Sequence, residues 1–177
     1  MSANKYRPHV HVLPEDDANR QLANGFILHA AVAPRSVHVL PPAGGWTAVR
    51  DSFLREHNAE MQRFPDRLMV LLVDFDGHGV QRVHDVMSEV DRAIVDRVFV
   101  LGAPDEPEQL RSQLKEKYES IGKRLAQECA DGTNKLWTHA LLAHNAPEVA
   151  RMLGQVRPLV FPQVGVAAVS GPTGAGT

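Results

Sequence analysis

The residues best suited to chemistry are acids. Glu15, Asp16 and Asp17 stand together in LPEDDAN, and Asp74 and Asp76 stand in LVDFDGHG, each group directly behind an apolar run. One residue separates Asp74 from Asp76, so in an extended turn both carboxylates can reach the same side and share a cation. Gly77 and Gly79 let the backbone bend closely there. Oxygen-only ligands suit Mg²⁺ or Mn²⁺, hard ions that keep several waters and leave room for phosphate oxygens. Asp16 and Asp17 also fit the commoner task of capping a helix, and that is the first expectation for them. A turn behind a buried strand seldom needs two carboxylates, so Asp74 and Asp76 point more firmly to function. His78, between the two glycines, is placed to touch a phosphate or a ligand water. Asp105 and Glu106 in APDEPE could complete a second metal site or, more simply, open an exposed helix.

These acids must be carried by strands and helices in alternation. PHVHVLP, residues 8 to 14, interleaves β-branched and polar residues and stops at Pro14, which predicts a first strand. Residues 15 to 32 space Leu22, Phe26 and His29 for one helical face. RSVHVL predicts a second strand over 35–40, and Thr47 is expected to cap a helix running to Phe64. Leu68 to Val73 is continuously apolar, as a central parallel strand covered on both faces should be. Val80, Val83 and Met87 form a helical stripe, and residues 95 to 102 return as a fourth strand. The repeated alternation predicts an α/β fold: a four-stranded, mostly parallel sheet with helices on both faces. A long helix is expected over 108–132 with Gly132 as its left-handed cap, then a helix from Leu136 to Leu153 and an edge strand in VRPLVFP. Residues 1–162 read as a single domain with a helical C-terminal extension, and 163–177, rich in small residues, as a flexible tail.

In an open α/β sheet, ligands bind beyond the carboxyl ends of the strands, which is where both acidic loops fall. The order of the parts, HVLPE at the first strand and LLVDFDGHG at the third, resembles the topoisomerase-primase, or Toprim, domain over roughly residues 8 to 102. The resemblance implies that Asp74 and Asp76 hold Mg²⁺ or Mn²⁺, with Glu15 completing the metal cluster and acting as general acid or base. Asp16 departs from the family, whose members often carry glycine after the glutamate. By resemblance, the implied activity is that of a metal-dependent nuclease acting on DNA or RNA, similar to the small stand-alone members or to the nuclease part of the overcoming-lysogenization-defect family. A complete topoisomerase is not expected, since neither Tyr6 nor Tyr118 has the setting of a nucleophile.

Two other functions compete. VDFDG also resembles the first motif of the haloacid-dehalogenase-like phosphatases, although two strands precede it here and no convincing acidic pair comes after it. The other rival is a non-catalytic Toprim-like module that binds a partner such as an ATPase. Several further features are expected to be structural. His9, His11 and His38 lack the spacing of a zinc site and read as sheet or core residues. Arg111, Lys115, Lys117, Lys123 and Arg124 read as a solvated helix face and Trp137 as core packing near Leu141, while His144 and Asn145 read instead as polar contacts near an active site, without a mechanism. SGPTGAGT lacks the lysine and following helix of a phosphate loop.

Composition narrows the classes. With 19 Lys and Arg against 21 Asp and Glu, the formal charge of -2 supplies no bulk attraction for nucleic acid, so any such contact must be local. The single cysteine, Cys129, cannot close an internal disulfide, and no apolar run approaches the ~20 residues of a membrane-spanning helix. A cytoplasmic protein without a membrane anchor is the resulting expectation.

Overall fold

A computed structural model describes residues 7–162 of the chain. Its centre is a sheet of four parallel strands in the order β2-β1-β3-β4: β1 His9–Pro14, β2 Val37–Val39, β3 Arg67–Asp74 and β4 Val98–Ala103. The apolar run of β3 is buried between two helical layers, because strand side chains alternate between faces. One face, with Val10, Val12, Val70 and Leu101, packs under α1 (Asp17–Ile27), α6 (Tyr118–Asp131) and α7 (Ala146–Val160). The other, with Leu13, Met69, Leu71 and Val100, packs under α2 (Trp46–Ser52), a π-helical turn (Phe53–His57), α3 (Asn58–Arg63) and α4 (Gly79–Met87). The expected α/β architecture with helices on both faces and at the C-terminus is therefore the one observed.

The strand order creates a switch point. From β1 the chain leaves through α1 on one face to reach β2; from β3 it leaves through α4 on the other face to reach β4. The ends of β1 and β3 are adjacent, so the loops behind them part in opposite directions and leave a crevice between.

Helix α1 is held closely. Asp16 caps it by accepting from the Asn19 backbone N–H at 2.8 Å. Its middle meets α6 backbone to backbone: a Cβ on Gly25 would lie 2.2 Å from the Glu119 carbonyl oxygen, and one on Gly122 would lie 2.0 Å from that of Leu22. Only glycine allows these helices to approach so far.

The open edge of β4 is closed by side chains from the start of α7. Asn145 accepts from Gly102 N at 3.0 Å and donates to Gly102 O at 2.8 Å, Glu148 accepts from Val100 N at 3.2 Å, and Arg151 donates to Val98 O at 2.8 Å. The three-residue spacing of a helix face here matches the two-residue spacing of a strand edge, which satisfies groups that would otherwise invite another strand.

Several boundaries differ from the expectations. Residues 156–160 of VRPLVFP continue α7 rather than forming an edge strand, because Val156 and Val160 complete its buried stripe with Val149 and Met152. The long basic helix is broken into α5 (Pro107–Leu114) and α6 by Lys115, which adopts φ 54°. Gly132 does cap α6 in the left-handed region, at φ 70°. Thr47 lies inside α2, whose cap is Gly45, and the chain from Asn134 to Leu142 forms turns before α7 begins at Ala146. Val80 is 90% exposed, so the buried stripe of α4 runs through Val83 and Val86. Residues 163–177, with their glycine-rich stretch, and Tyr6 lie outside the described residues.

Candidate active site

Glu15 and Asp74 meet at the switch point. Glu15 follows β1 directly, and its own N–H continues the ladder by donating to Leu72 O at 2.8 Å. Its Oε2 accepts the Asp74 backbone N–H at 2.9 Å. The Glu15 carbonyl oxygen in turn accepts Gly44 N at 2.8 Å, which folds the Gly44-Gly45-Trp46 loop over it. Burial raises the Glu15 carboxyl above its usual range, while the N–H groups of Asp74 and Trp46 and the charge of Arg82 work against that rise.

The D-x-D turn is pinned to the end of β4. Phe75 N donates to Ala103 O at 2.9 Å and Gly77 N to Pro104 O at 2.8 Å, while the buried Phe75 ring stands nearly perpendicular to the His144 ring, 5.3 Å between centroids. Asp76 and Gly77 take φ of 45° and 72°, left-handed values that glycine and aspartate tolerate better than most residues.

The flanking carboxylates have different partners. Asp74 Oδ1 accepts from Asn19 Nδ2 at 2.9 Å, and the same amide reaches Asp16 at 3.1 Å. Asp76 Oδ2 accepts from Arg82 Nη2 at 2.5 Å, and Arg82 Nη1 also bonds the Asp74 carbonyl oxygen. The Arg82 guanidinium lies over the Trp46 ring, 5.3 Å from its centroid. Glu15, Asp76 and Arg82 line an open depression with Gly44, Gly45 and Trp46, whereas the Asp74 carboxylate is engaged by α1.

Asp74 is the most perturbed of these groups. Burial lifts its carboxyl to about 7, and the charges of Glu15, Asp16 and Asp76 add to the rise against the Asn19 hydrogen bond. Four acids thus press on one another with Arg82 as the cation bonded among them. Carboxylate oxygens are the donor type that Mg²⁺ and Mn²⁺ take. As placed, no three His, Cys, Asp or Glu side chains among the described residues converge to hold a metal ion. Asp76 is bound by Arg82 instead.

The other site residues expected from the sequence are placed more simply. His78 is exposed and precedes α4 without capping it through its side chain. Asp105 and Glu106 are exposed at the start of α5, where Asp105 accepts from Gln109 at 3.4 Å. Asp17 pairs on the surface with Arg20 and accepts from Gln21 at 2.6 Å, in keeping with a helix-start role.

Sequence reasoning overlooked Asn19, Arg82 and Trp46. A trace of Asn19 was present in D-x-x-N, a cap and the residue three positions on, but the bond to Asp74 spans 55 residues and leaves no local signal.

A second polar cluster lies under α2 and α3. The His11 ring is 4.8 Å from that of His9, 5.4 Å from His38 and 6.5 Å from His57, centroid to centroid. His9 is satisfied, donating to Arg7 O at 2.7 Å and accepting from Arg67 Nε at 3.0 Å. Nδ1 of His11 and Nδ1 of His57 are buried with no hydrogen-bond partner among the described residues. Burial, with the Arg67 charge next, lowers His11 to about 3, so this ring is uncharged at neutral pH.

Compared with protein family models, curated proteins and solved structures, the chain matches none. No helix among the described residues is long and apolar enough to cross a membrane.

Proposed function

We propose that this chain is a Mg²⁺- or Mn²⁺-dependent phosphoryl-transfer protein that acts on nucleic acid in the cytoplasm, as a Toprim-like nuclease. The observation that carries the reading is the junction of Glu15 with Asp74 at the switch point, where burial and then the acidic neighbours raise the Asp74 carboxyl to about 7. Bound there, the metal would neutralise charge on a phosphate oxygen. Asp74 and Asp76 would be its ligands. Glu15, whose carboxyl is raised, is suited to move a proton to or from the attacking or leaving oxygen. Arg82 and the Trp46 indole supply a local cation and an aromatic wall beside Glu15, which compensates for a net charge unfavourable to a polyanion.

The grip of Arg82 on Asp76 favours a second reading: a module that stays dormant until a partner, such as an ATPase, rearranges the turn. Cleavage of single-stranded DNA, duplex DNA and RNA with Mn²⁺ or Mg²⁺ tests the first. Asp76→Asn should abolish metal-dependent cleavage with its thermal melt unchanged; full activity in that variant would overturn the nuclease reading. Turnover of a small phosphate ester through a covalent phosphate on Asp74 would instead select the phosphatase.

A further inference from the structure

The face of the sheet under α1 carries a void of about 110 Å³ between β1, β3, β4 and the helices α1, α6 and α7. Natural cores contain few spaces larger than a water molecule, so a gap of this size calls for a cause. Helix α1 cannot settle into the gap. Its N-terminus is tied to β3 by Asn19 and Asp74, and its middle is locked to α6 where Gly25 and Gly122 already bring the backbones into contact.

Nor can the void hold water well. Its polar lining comes from Asn19, Asn145 and Trp137, and the amides of both asparagines are already committed, Asn19 to Asp16 and Asp74, Asn145 to Gly102 and Leu142. An ordered internal water needs two to four polar partners. The indole Nε1 of Trp137 is itself buried, beside the weakly accepting Cys129 sulfur, and so offers the void no polar surface. Leu72, moreover, is half-buried although it belongs to a central strand, so the void reaches toward the outside where β3 runs on to Asp74.

We propose that this void is a binding site for a small, neutral, apolar molecule, about the size of one six-membered ring. The volume is comparable to that of engineered apolar cavities that stay dry and take up benzene. Asn19 forms part of the wall and bonds Asp74, so the site adjoins the candidate active site through one side chain. The void and its lining have this character whether or not the chain is a nuclease.

The test uses the full chain, with toluene and then phenol as probes, followed by amide, indole and Asn side-chain resonances. Saturable shifts confined to Asn19, Leu22, Leu72 and the Trp137 indole are expected, with toluene binding at least severalfold more tightly than phenol, whose hydroxyl meets no free partner there. Ala23→Leu and Leu72→Phe both add volume inside the void and should abolish those shifts. An absence of saturable shifts near the solubility limit of toluene would overturn the proposal, as would shifts that persist in both folded variants. Should neither variant fold, crystals pressurised with xenon decide: density between α1 and β3 supports the site, and density elsewhere or nowhere refutes it.

Discussion

Glu15 and Asp74 are 59 residues apart, yet the carboxylate of the first accepts the backbone N–H of the second at 2.9 Å. The bond joins the ends of two neighbouring strands and closes the bottom of the candidate site, so structure and chemistry at this point can be separated by substitution. Glu15→Gln keeps an acceptor for that N–H and removes only the charge. Glu15→Ala leaves a partly buried donor unpaired, which costs about 1–3 kcal/mol. Chemical denaturation should therefore show a clear loss for alanine and little for glutamine, while both lose cleavage. Equal stability of the two variants would mean that the bond carries no weight in the fold.

The four-histidine cluster predicts a specific response to acid. His11 titrates near 3 in the folded protein against an ordinary 6.5, so between those values the unfolded chain binds more protons. Stability from this ring is complete above pH 6.5 and is lost as pH falls toward 3, at up to ~1.4 kcal/mol per pH unit. His38 and His57, also lowered by burial, act in the same direction. Asp74 acts in the opposite one: its raised carboxyl favours the folded state at low pH, and that contribution is lost as pH rises from about 4 to 7. Urea midpoints measured from about pH 7 to about pH 3.5 should fall less steeply for His11→Gln than for the parent. An unchanged slope would show that His11 is not held neutral.

Much of this site was legible because its parts are local. Apolar runs that stop at acids mark strand ends, and the alternation of strands and helices implies a parallel sheet whose carboxyl ends face one way. The neighbouring placement of Glu15 and Asp74 comes from the same logic. What could not be read is the pairing of side chains across elements. Nothing in the spacing says that Asp74 turns to Asn19 on α1 while Asp76 turns to Arg82 on α4. The break at Lys115 was equally hidden, since neither glycine nor proline marks it. Asn145, Glu148 and Arg151 look like an ordinary polar helix start until the edge of β4 is placed against them.

The contact between α1 and α6 gives the largest expected effect on stability. A methyl group on Gly122 would lie 2.0 Å from the Leu22 carbonyl oxygen, and backbone cannot rotate away as a side chain can. Gly122→Ala must push the helices apart, at a cost of about 1–3 kcal/mol or more. Gly154→Ala, on the open side of α7 where an added Cβ meets nothing, is the control and should leave the melt unchanged or raise it slightly. A Gly122→Ala protein as stable as the parent would refute the close approach, and with it the locking of α1 above the apolar void.

Arg82 offers the sharpest test of how the acids are poised. Its guanidinium bonds Asp76 and the Asp74 carbonyl oxygen, so in this conformation it competes with any metal for the D-x-D turn. Arg82→Gln removes that positive charge and frees Asp76. Calorimetry should then find Mg²⁺ or Mn²⁺ bound severalfold more tightly than by the parent, because a cation lost from the site leaves its negative charge uncompensated. Cleavage should nevertheless fall if the same guanidinium serves a substrate phosphate once the metal has taken its place. Arg82→Lys separates the two effects, since it retains the charge but not the forked contact with carboxylate and carbonyl. Metal affinity should stay near that of the parent for lysine and rise for glutamine. Weaker metal binding in Arg82→Gln with the fold intact would mean that Arg82 shapes the turn for the metal rather than competing with it.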